Sequence, residues 1–174
     1  MNNFACIKPL FRYKHVAYYS VCINDDENTI YDEFVEKHTI ENNKKLYHIQ
    51  KWLQVIGKKY GAQKRFFRNE AKYADTSALP PYNKNRKPNY VEFGKNKANN
   101  LRLYCFRANS KVVFLFGGDL KTTEKAQNCP NVKHHFELAN ALTASIENAF
   151  KEKDIEWIED DSLISWNEDL TIHF

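Results

Sequence analysis

Apolar positions recur along the chain in two spacings, one typical of helices and one typical of strands. Between residues 42 and 60 the apolar side chains follow each other at steps of three and four, which aligns them on one stripe of a helix. That stripe consists of Leu46, Ile49, Leu53, Ile56 and Tyr60. The same spacing predicts a second long helix over residues 131–151, and a shorter helix is predicted over 29–38.

Segments rich in β-branched and aromatic residues predict the strands. Residues 12–24 form the first strand, and three more follow in quick succession over 90–94, 101–108 and 111–117. The tight connection at Asn109 and Ser110 predicts that the last two strands form an antiparallel hairpin.

The order of these elements is strand, helices, three-strand meander and helix. It predicts an α+β fold in which an antiparallel sheet, a β-meander plus an N-terminal strand, has its helices packed on one face. Residues 74–89 are predicted to be a loop, because Pro80, Pro81 and Pro88 oppose a regular helix or a central strand.

The composition narrows the class of protein. Of 174 residues, 43% are hydrophobic and 14% are aromatic, which supplies enough apolar surface for a core and excludes disorder for most of the chain. No apolar run approaches the roughly 20 residues of a membrane span, so contact with a membrane is not expected. The four cysteines are far apart and form no C-x-x-C pair, which predicts free thiols in a cytoplasmic protein rather than a zinc site.

Charge is distributed unevenly. Residues 154–174 carry seven acids and no Lys or Arg, whereas residues 1–153 have a balance of +11. We therefore divide a single predicted domain over 1–174 into a core over 10–151 and an acidic C-terminal extension over 152–174. A basic body attracts phosphate chains, although a lysine-rich soluble surface is the simpler interpretation of the charge alone.

The basic residues concentrate in the region of the first long helix. Eight of them fall between residues 42 and 69, where no acid occurs. They are Lys44, Lys45, Lys51, Lys58, Lys59, Lys64, Arg65 and Arg68. The proline-rich loop adds Lys84, Arg86 and Lys87.

Several common catalytic motifs are missing. The sequence contains no G-x-x-x-x-G-K-[ST], G-x-G-x-x-G, G-x-S-x-G or H-E-x-x-H. Nucleotide hydrolysis, dinucleotide redox chemistry, α/β-hydrolase chemistry and zincin chemistry therefore have no support from motifs.

One series of segments does suggest a family. L-R-L-Y-C-F-R at 101–107 is followed by K-V-V-F-L-F-G-G at 111–118, by L-K-T-T-E-K at 120–125, and then by a helix. An arginine within an apolar strand, a hydrophobic strand ending in a small residue and a lysine-rich exit resemble the RelE/HigB-like toxin superfamily. The resemblance covers roughly residues 45–150. Members of this superfamily are the mRNA interferases of bacterial toxin–antitoxin modules.

The resemblance implies ribosome-associated cleavage of mRNA without a metal or other cofactor, and an antitoxin protein as partner. Arg102, Lys121 and Lys125 would be the catalytic residues. Arginine holds phosphate oxygens in a bidentate fork, and a lysine among other cations can serve as acid, base or electrostatic clamp. The residues expected to bind RNA are Tyr104, Arg107, Lys58, Lys59, Lys64, Arg65 and Arg68.

Two other functions remain open. The chain shows no counterpart of the C-terminal tyrosine or histidine that some members use, which favours a non-catalytic nucleic-acid-binding module on the same fold. An immunity or antitoxin-like factor that binds another protein through its acidic tail is the third hypothesis. The simpler structural interpretation is that Arg102 is a solvent-facing or salt-bridged sheet residue and that Tyr104 serves packing rather than base stacking.

Overall fold

The structure is a computed structural model that describes residues 3–70 and 75–174. Its α-helices are α1 (Ile30–Glu41), α2 (Asn43–Val55) and α3 (Lys133–Lys151). A π-helical turn, Ile56–Tyr60, extends α2, and short 3-10 turns occupy Lys64–Phe66 and Ala126–Asn128. The helix periodicity is therefore confirmed.

Most of the strands belong to one mixed sheet. The strands are β1 (Phe4–Arg12), β2 (Ala17–Ile23), β3 (Arg68–Asn69), β4 (Thr76–Leu79), β5 (Tyr90–Glu92), β6 (Lys95–Lys97), β7 (Leu103–Arg107), β8 (Val112–Leu115), β9 (Ile155–Ile158), β10 (Leu163–Trp166) and β11 (Ile172–His173). Seven of them form a sheet in the order β11-β1-β2-β8-β7-β4-β3, while β5 pairs with β6 and β9 with β10.

The α+β class is confirmed, but the sheet differs from the prediction in two respects. It is mixed, because β2 and β8 run parallel, with Ala17 beside Val112 and Tyr19 beside Phe114. Its helices lie on both faces rather than one. The central strands carry apolar side chains on both faces of the sheet, so each face must be covered by other elements of the fold.

The two faces carry separate hydrophobic clusters. Leu46, Ile49 and Leu53 of α2 pack with Tyr18, Leu103, Cys105, Val113 and Leu115 of the sheet. Phe136, Ala139, Leu142 and Ile146 of α3 pack with Tyr19, Tyr104, Phe106 and Phe114 on the opposite face. The opposite orientation of Leu103 and Tyr104 agrees with the predicted alternation along this strand.

The meander uses a different first strand from the one predicted. Residues 90–94 instead provide β5 and the turn of the β5–β6 hairpin. The turn residues Phe93 and Gly94 have φ angles of 52° and 74°. The place beside β7 is taken by β4, which lies inside the segment predicted to be a loop. The prolines do not prevent this, because Pro80 and Pro81 follow the last paired residue of β4.

Local sequence explains the start of α1. Thr29 accepts a hydrogen bond from the Asp32 amide (3.1 Å), and the Asp32 carboxylate accepts one from the Thr29 amide (3.1 Å). This capping box satisfies two backbone donors that a helix otherwise leaves unpaired, and such a cap stabilises a helix by about 1 kcal/mol.

Residues after 152 contribute to the same fold. β11 pairs with β1 at the edge of the sheet, and the β9–β10 hairpin places Trp157 against Phe150 of α3 with ring centroids 4.7 Å apart. Trp166 packs edge-on against Tyr19 of the sheet. Among the residues described, no helix has the length and apolar character to cross a bilayer.

Candidate functional site

Arg102, the first predicted catalytic residue, lies just before β7 and is only 8% exposed. Its Nη1 donates hydrogen bonds to the carbonyl oxygens of Asn99 (2.6 Å) and Leu101 (3.3 Å). Its Nε is buried without a hydrogen-bond partner among residues 3–70 and 75–174. Burial lowers the pKa of the guanidinium, and the nearby negative charge of Glu70 acts in the opposite direction.

Lys121, the second predicted catalytic residue, follows β8 and faces the same carboxylate. Its Nζ lies 3.6 Å from Oε2 of Glu70, and the two side chains are only 13% and 8% exposed. The Glu70 carboxylate therefore lies near two cations, the Lys121 ammonium and the Arg102 guanidinium. The structure brings Arg102 and Lys121 into one neighbourhood, with an acidic side chain that the sequence did not single out.

Arg68 and Tyr104 complete this group. The Arg68 Nε donates to the Pro80 carbonyl (2.5 Å) and its Nη2 to the Pro81 carbonyl (3.3 Å). Burial and then the charge of Arg102 lower the pKa of Arg68 to about 10. We refer to the set as the Glu70 cluster, which consists of Arg68, Glu70, Arg102, Tyr104 and Lys121.

Tyr104 is fully buried, and its ring packs edge-on against Phe136 of α3 with centroids 5.8 Å apart. It is therefore not placed to stack on a base, which was one of its predicted roles. Burial raises the pKa of its hydroxyl, with a further contribution from Glu70. That hydroxyl has no hydrogen-bond partner among the described residues.

Two other predicted residues lie outside the Glu70 cluster. Lys125 is exposed and immediately precedes the 3-10 turn Ala126–Asn128. Arg107, at the end of β7, donates from Nε to the Ala62 carbonyl, and burial lowers its pKa. Arg107 thereby ties β7 to the segment that follows α2, which is a structural use of the side chain.

The remaining predicted RNA-binding residues lie on a surface where cations alternate with aromatic rings. The Arg65 guanidinium lies 4.5 Å from the centroid of the Phe66 ring, and Arg86 lies 5.8 Å from the same ring. Arg86 also donates to the Arg65 carbonyl (2.7 Å). Lys59 lies 5.1 Å from the ring of Tyr60, so this arrangement extends back to the end of α2.

Tyr82 provides an exposed aromatic side chain on the same surface. It is 69% exposed, and the Arg68 guanidinium lies 4.4 Å from its ring centroid. It lines a shallow depression together with Arg86, Lys84 and Lys97. We call the whole surface the basic–aromatic face, consisting of Lys58, Lys59, Tyr60, Lys64, Arg65, Phe66, Tyr82, Lys84 and Arg86.

The electrostatics of this face follow from composition. Residues 42–69 contain eight basic side chains, residues 76–91 contain three, and neither segment contains an acid. The two segments meet at the contact of Arg86 with Arg65. A surface built from acid-free segments retains a positive potential that neighbouring carboxylates do not cancel.

Sequence reasoning missed Glu70 and Tyr82 as site residues. Glu70 gives no signal in the chain, because its ion pair with Lys121 joins positions 51 residues apart. The basic loop composition around Tyr82 did hold a signal, since a polar, proline-rich segment displays its aromatic side chain outward.

No metal centre is apparent in the part of the chain that is described, where His, Cys, Asp and Glu form no group of three suited to a metal ion. The chain matches no family model, no curated protein and no solved structure. Its function must therefore be argued from the surfaces themselves.

Proposed function

We propose that this protein binds single-stranded RNA through its basic–aromatic face. The observation that carries the proposal is the stacking of Arg65 and Arg86 around Phe66 within two acid-free segments. Single-stranded nucleic acids are bound by cations that follow the backbone and by aromatic rings on which bases stack. On this face Arg65 is an exposed cation and Tyr82, 69% exposed, is the ring open to a base, whereas Phe66 is only 3% exposed and supports the two guanidinium groups.

A salt titration of binding tests the proposal. Each phosphate contact that is lost should reduce the slope of log K against log salt by about 0.7 for a single strand. The variant Arg65→Ala/Arg86→Ala should therefore flatten the slope by about 1.4, as measured by anisotropy with a labelled oligonucleotide. A matched control is Lys8→Ala/Lys151→Ala, which removes the same charge from exposed positions on β1 and α3. Equal losses in the two variants would mean that the face has no special role.

A second function, RNA cleavage, is favoured by the arrangement of the Glu70 cluster. The Lys121 Nζ lies 3.6 Å from the Glu70 carboxylate, and Arg102 lies near enough to feel its charge, so the cluster combines cations with a carboxylate as metal-independent RNA cleavage can use them. In this scheme Glu70 takes the 2′-OH proton, and the 2′ oxygen forms a bond to phosphorus. Arg102 stabilises the phosphorane, and Lys121 donates a proton to the leaving 5′ oxygen as the P–O5′ bond breaks. The products are a 2′,3′-cyclic phosphate and a 5′-hydroxyl.

The resemblance to RelE/HigB-like toxins supports this second function. It adds an antitoxin partner, action on mRNA at the ribosome and a cytoplasmic location, all of which belong to the proposal. Arg102 and Lys121 are largely buried, however, and Arg102 already donates to backbone carbonyls. Binding therefore stands first, and cleavage requires the cluster to open to its substrate.

Cleavage is tested with purified protein, labelled mRNA and ribosomes in the presence of a chelator. Fragments bearing a cyclic phosphate should form, and Glu70→Gln should abolish them while leaving RNA binding unchanged. Glu36→Gln, an exposed carboxylate on α1, is the matched control. Intact mRNA with the native protein, or unaltered cleavage by Glu70→Gln, would reject this second function without affecting the first.

A further inference from the structure

A cavity of about 450 Å³ opens between α1 and α3, and its lining shares no residue with the Glu70 cluster or the basic–aromatic face. Its lining includes Ile23 at the end of β2 and Phe116, Gly117 and Gly118 just after β8. A volume of this size accommodates a small molecule, for which pockets of about 300–1,000 Å³ are usual.

The topology explains why a cavity forms here. β2 and β8 are adjacent and parallel, and their pairing ends at Tyr19 and Phe114. The helices that follow them leave to opposite faces of the sheet, since α1 places Phe34 in the α2-side cluster and α3 places Phe136 in the other. Adjacent parallel strands whose connections diverge leave a crevice beyond their carboxyl ends, which is where open α/β sheets bind ligands.

The walls of the cavity are aromatic and aliphatic. Phe34 and Phe116 contribute rings, and Ile23, Ile30 and Leu138 contribute aliphatic surface. Such walls favour a ligand with a flat or apolar body over a fully hydrated ion.

The polar groups of the cavity are carboxylates and imidazoles. Asp26 and Glu33 supply carboxylate acceptors, and His134 and His135 supply imidazoles. The Lys37 ammonium, which also lines the cavity, is engaged by Asp119, 2.7 Å away. Burial and then the neighbouring His134 lower the pKa of His135 to about 4, so at neutral pH its ring is uncharged and offers one donor and one acceptor.

His135 owes its position to the residue opposite. A Cβ at Gly117 would lie 3.2 Å from the His135 Nδ1, so glycine leaves room for the ring beside the strand end. On the other side of the strand, the buried His38 Nε2 lies 3.2 Å from the Gly118 carbonyl oxygen, and the His38 Nδ1 lies 2.9 Å from Nδ2 of Asn42. An amide nitrogen can only donate, so Nδ1 accepts and Nε2 carries the proton that is donated to Gly118. The hydrogen bond from His38 therefore holds the backbone at Gly118 in place.

We propose that the cavity binds a purine base, with the apolar lining, which includes Phe34 and Phe116, against its plane and its amino and ring N–H groups directed to Glu33 and Asp26. A purine presents donors and acceptors along its edges and has no net charge. It thus matches a cavity whose lining combines carboxylate acceptors, an uncharged imidazole and apolar side chains. The base belongs either to a free nucleoside or to a nucleotide of an RNA strand.

Titration of isotope-labelled protein with adenosine and with guanosine, followed by amide NMR, tests this assignment. One of them should shift the resonances of residues 116–118 and 134–138 in a saturable manner. Leu138→Trp, which fills the cavity, should weaken binding at least tenfold. Should that variant misfold, Glu33→Gln keeps the volume and should weaken binding several-fold, while Glu36→Gln on the same helix should not.

Three comparisons decide the identity of the ligand. A short purine oligonucleotide that shifts the same resonances more strongly than the nucleoside identifies RNA as the source, and a weaker response identifies the free nucleoside. L-phenylalanine and inorganic phosphate serve as zwitterionic and anionic probes. Saturable shifts with either of these but not with a nucleoside, or no localised shift at 10 mM of either nucleoside (a concentration on the order of a weak-binding limit), would overturn the proposal. Nucleoside binding should persist in Arg65→Ala/Arg86→Ala, so the outcome is independent of the RNA-binding face.

Discussion

The Glu70 cluster and the basic–aromatic face are built from the same kinds of side chain and differ in where their polar atoms point. In the cluster, Arg102 is buried and its donors are directed to backbone carbonyls. On the face, Arg65 is exposed and its guanidinium rests on an aromatic ring. A buried guanidinium is committed to the chain that surrounds it, whereas a stacked and exposed one keeps donors for a ligand.

An arginine in a sequence can therefore have one of two roles, which are to hold the fold together or to bind a ligand. Arg102 lies in the segment that carries the family resemblance, yet its hydrogen bonds hold together the turn that begins at Asn99. Arg86 lies in a loop without a motif, yet it is partly exposed and contacts Phe66. The burial of an arginine, more than the pattern around it, decides whether the side chain is free to meet a phosphate.

The largest effect is expected for Arg102→Ala. Its loss leaves the buried carbonyls of Asn99 and Leu101 without a donor, at about 1–3 kcal/mol for each unsatisfied group. We expect the free energy of unfolding in urea to fall by about 3 kcal/mol. Arg65→Ala is the matched control and should change it by less than about 0.5 kcal/mol, as surface substitutions usually do. Similar values for the two variants would remove the distinction between the regions.

The next effect concerns RNA affinity. Tyr82→Ala should weaken binding of a single strand by about 1–2 kcal/mol, because a base loses its stacking partner. Tyr82→Phe keeps the ring and should bind as the native protein does. The two variants are compared by anisotropy at one fixed salt concentration. Loss of binding in Tyr82→Phe as well would point to the hydroxyl rather than to stacking.

A double-mutant cycle measures the interaction energy between Glu70 and Lys121 in the Glu70 cluster. Glu70→Gln and Lys121→Met should each destabilise the protein, and the double variant should lose less than the sum, with a coupling of about 1 kcal/mol. The pair is mostly buried, so it should exceed the coupling of Lys37 with Asp119, where Lys37 is 46% exposed. Chemical denaturation provides both cycles. Equal coupling in the two pairs would show that burial adds nothing to the Glu70 ion pair.

The smallest effect extends the comparison of buried with exposed side chains to imidazoles. The unfolded chain protonates His135 near pH 6.5, whereas burial lowers its folded pKa to about 4. The folded pKa is the lower one, so stability is full above pH 6.5 and declines as the pH falls from 6.5 towards 4. After allowance for partial exposure, the loss is on the order of 1 kcal/mol.

His135→Asn should remove this contribution to the pH dependence of unfolding. His15→Asn changes an exposed imidazole that does not act on His135 and is the control. Urea titrations at pH 7.5 and pH 5 measure both. An unaltered pH dependence in His135→Asn would assign the effect to other groups.

Periodicity predicted the elements whose packing depends on local spacing. The stripe through Leu46, Ile49 and Leu53 is the buried side of α2, and the alternation of Leu103 with Tyr104 is that of β7. β4 was missed because its pairing with β7 joins residues at least 24 positions apart, as at Leu79 and Leu103. Pairing across long separations leaves little trace in the local composition.

Only part of the candidate site was predictable, because contacts between distant segments leave little trace in the local sequence. Arg102 and Lys121 were chosen from a motif, and the structure places both near Glu70. The motif did not reveal that carboxylate or the burial of Arg102, because both depend on how separate segments meet. The basic side chains around Arg65 required only a count of charges. Lys58, Lys59, Lys64 and Arg65 are exposed, whereas Arg68 is buried.

Gly118 has a consequence for how the molecule can change. A Cβ at this position would lie 1.7 Å from the Arg102 carbonyl oxygen, and the Gly118 carbonyl accepts a hydrogen bond from His38. Gly118 therefore lies between the cavity, which it lines, and Arg102 of the Glu70 cluster. A substitution that reshapes one of these regions is constrained by the other, so we expect substitutions in the two regions to be correlated among descendants of this chain.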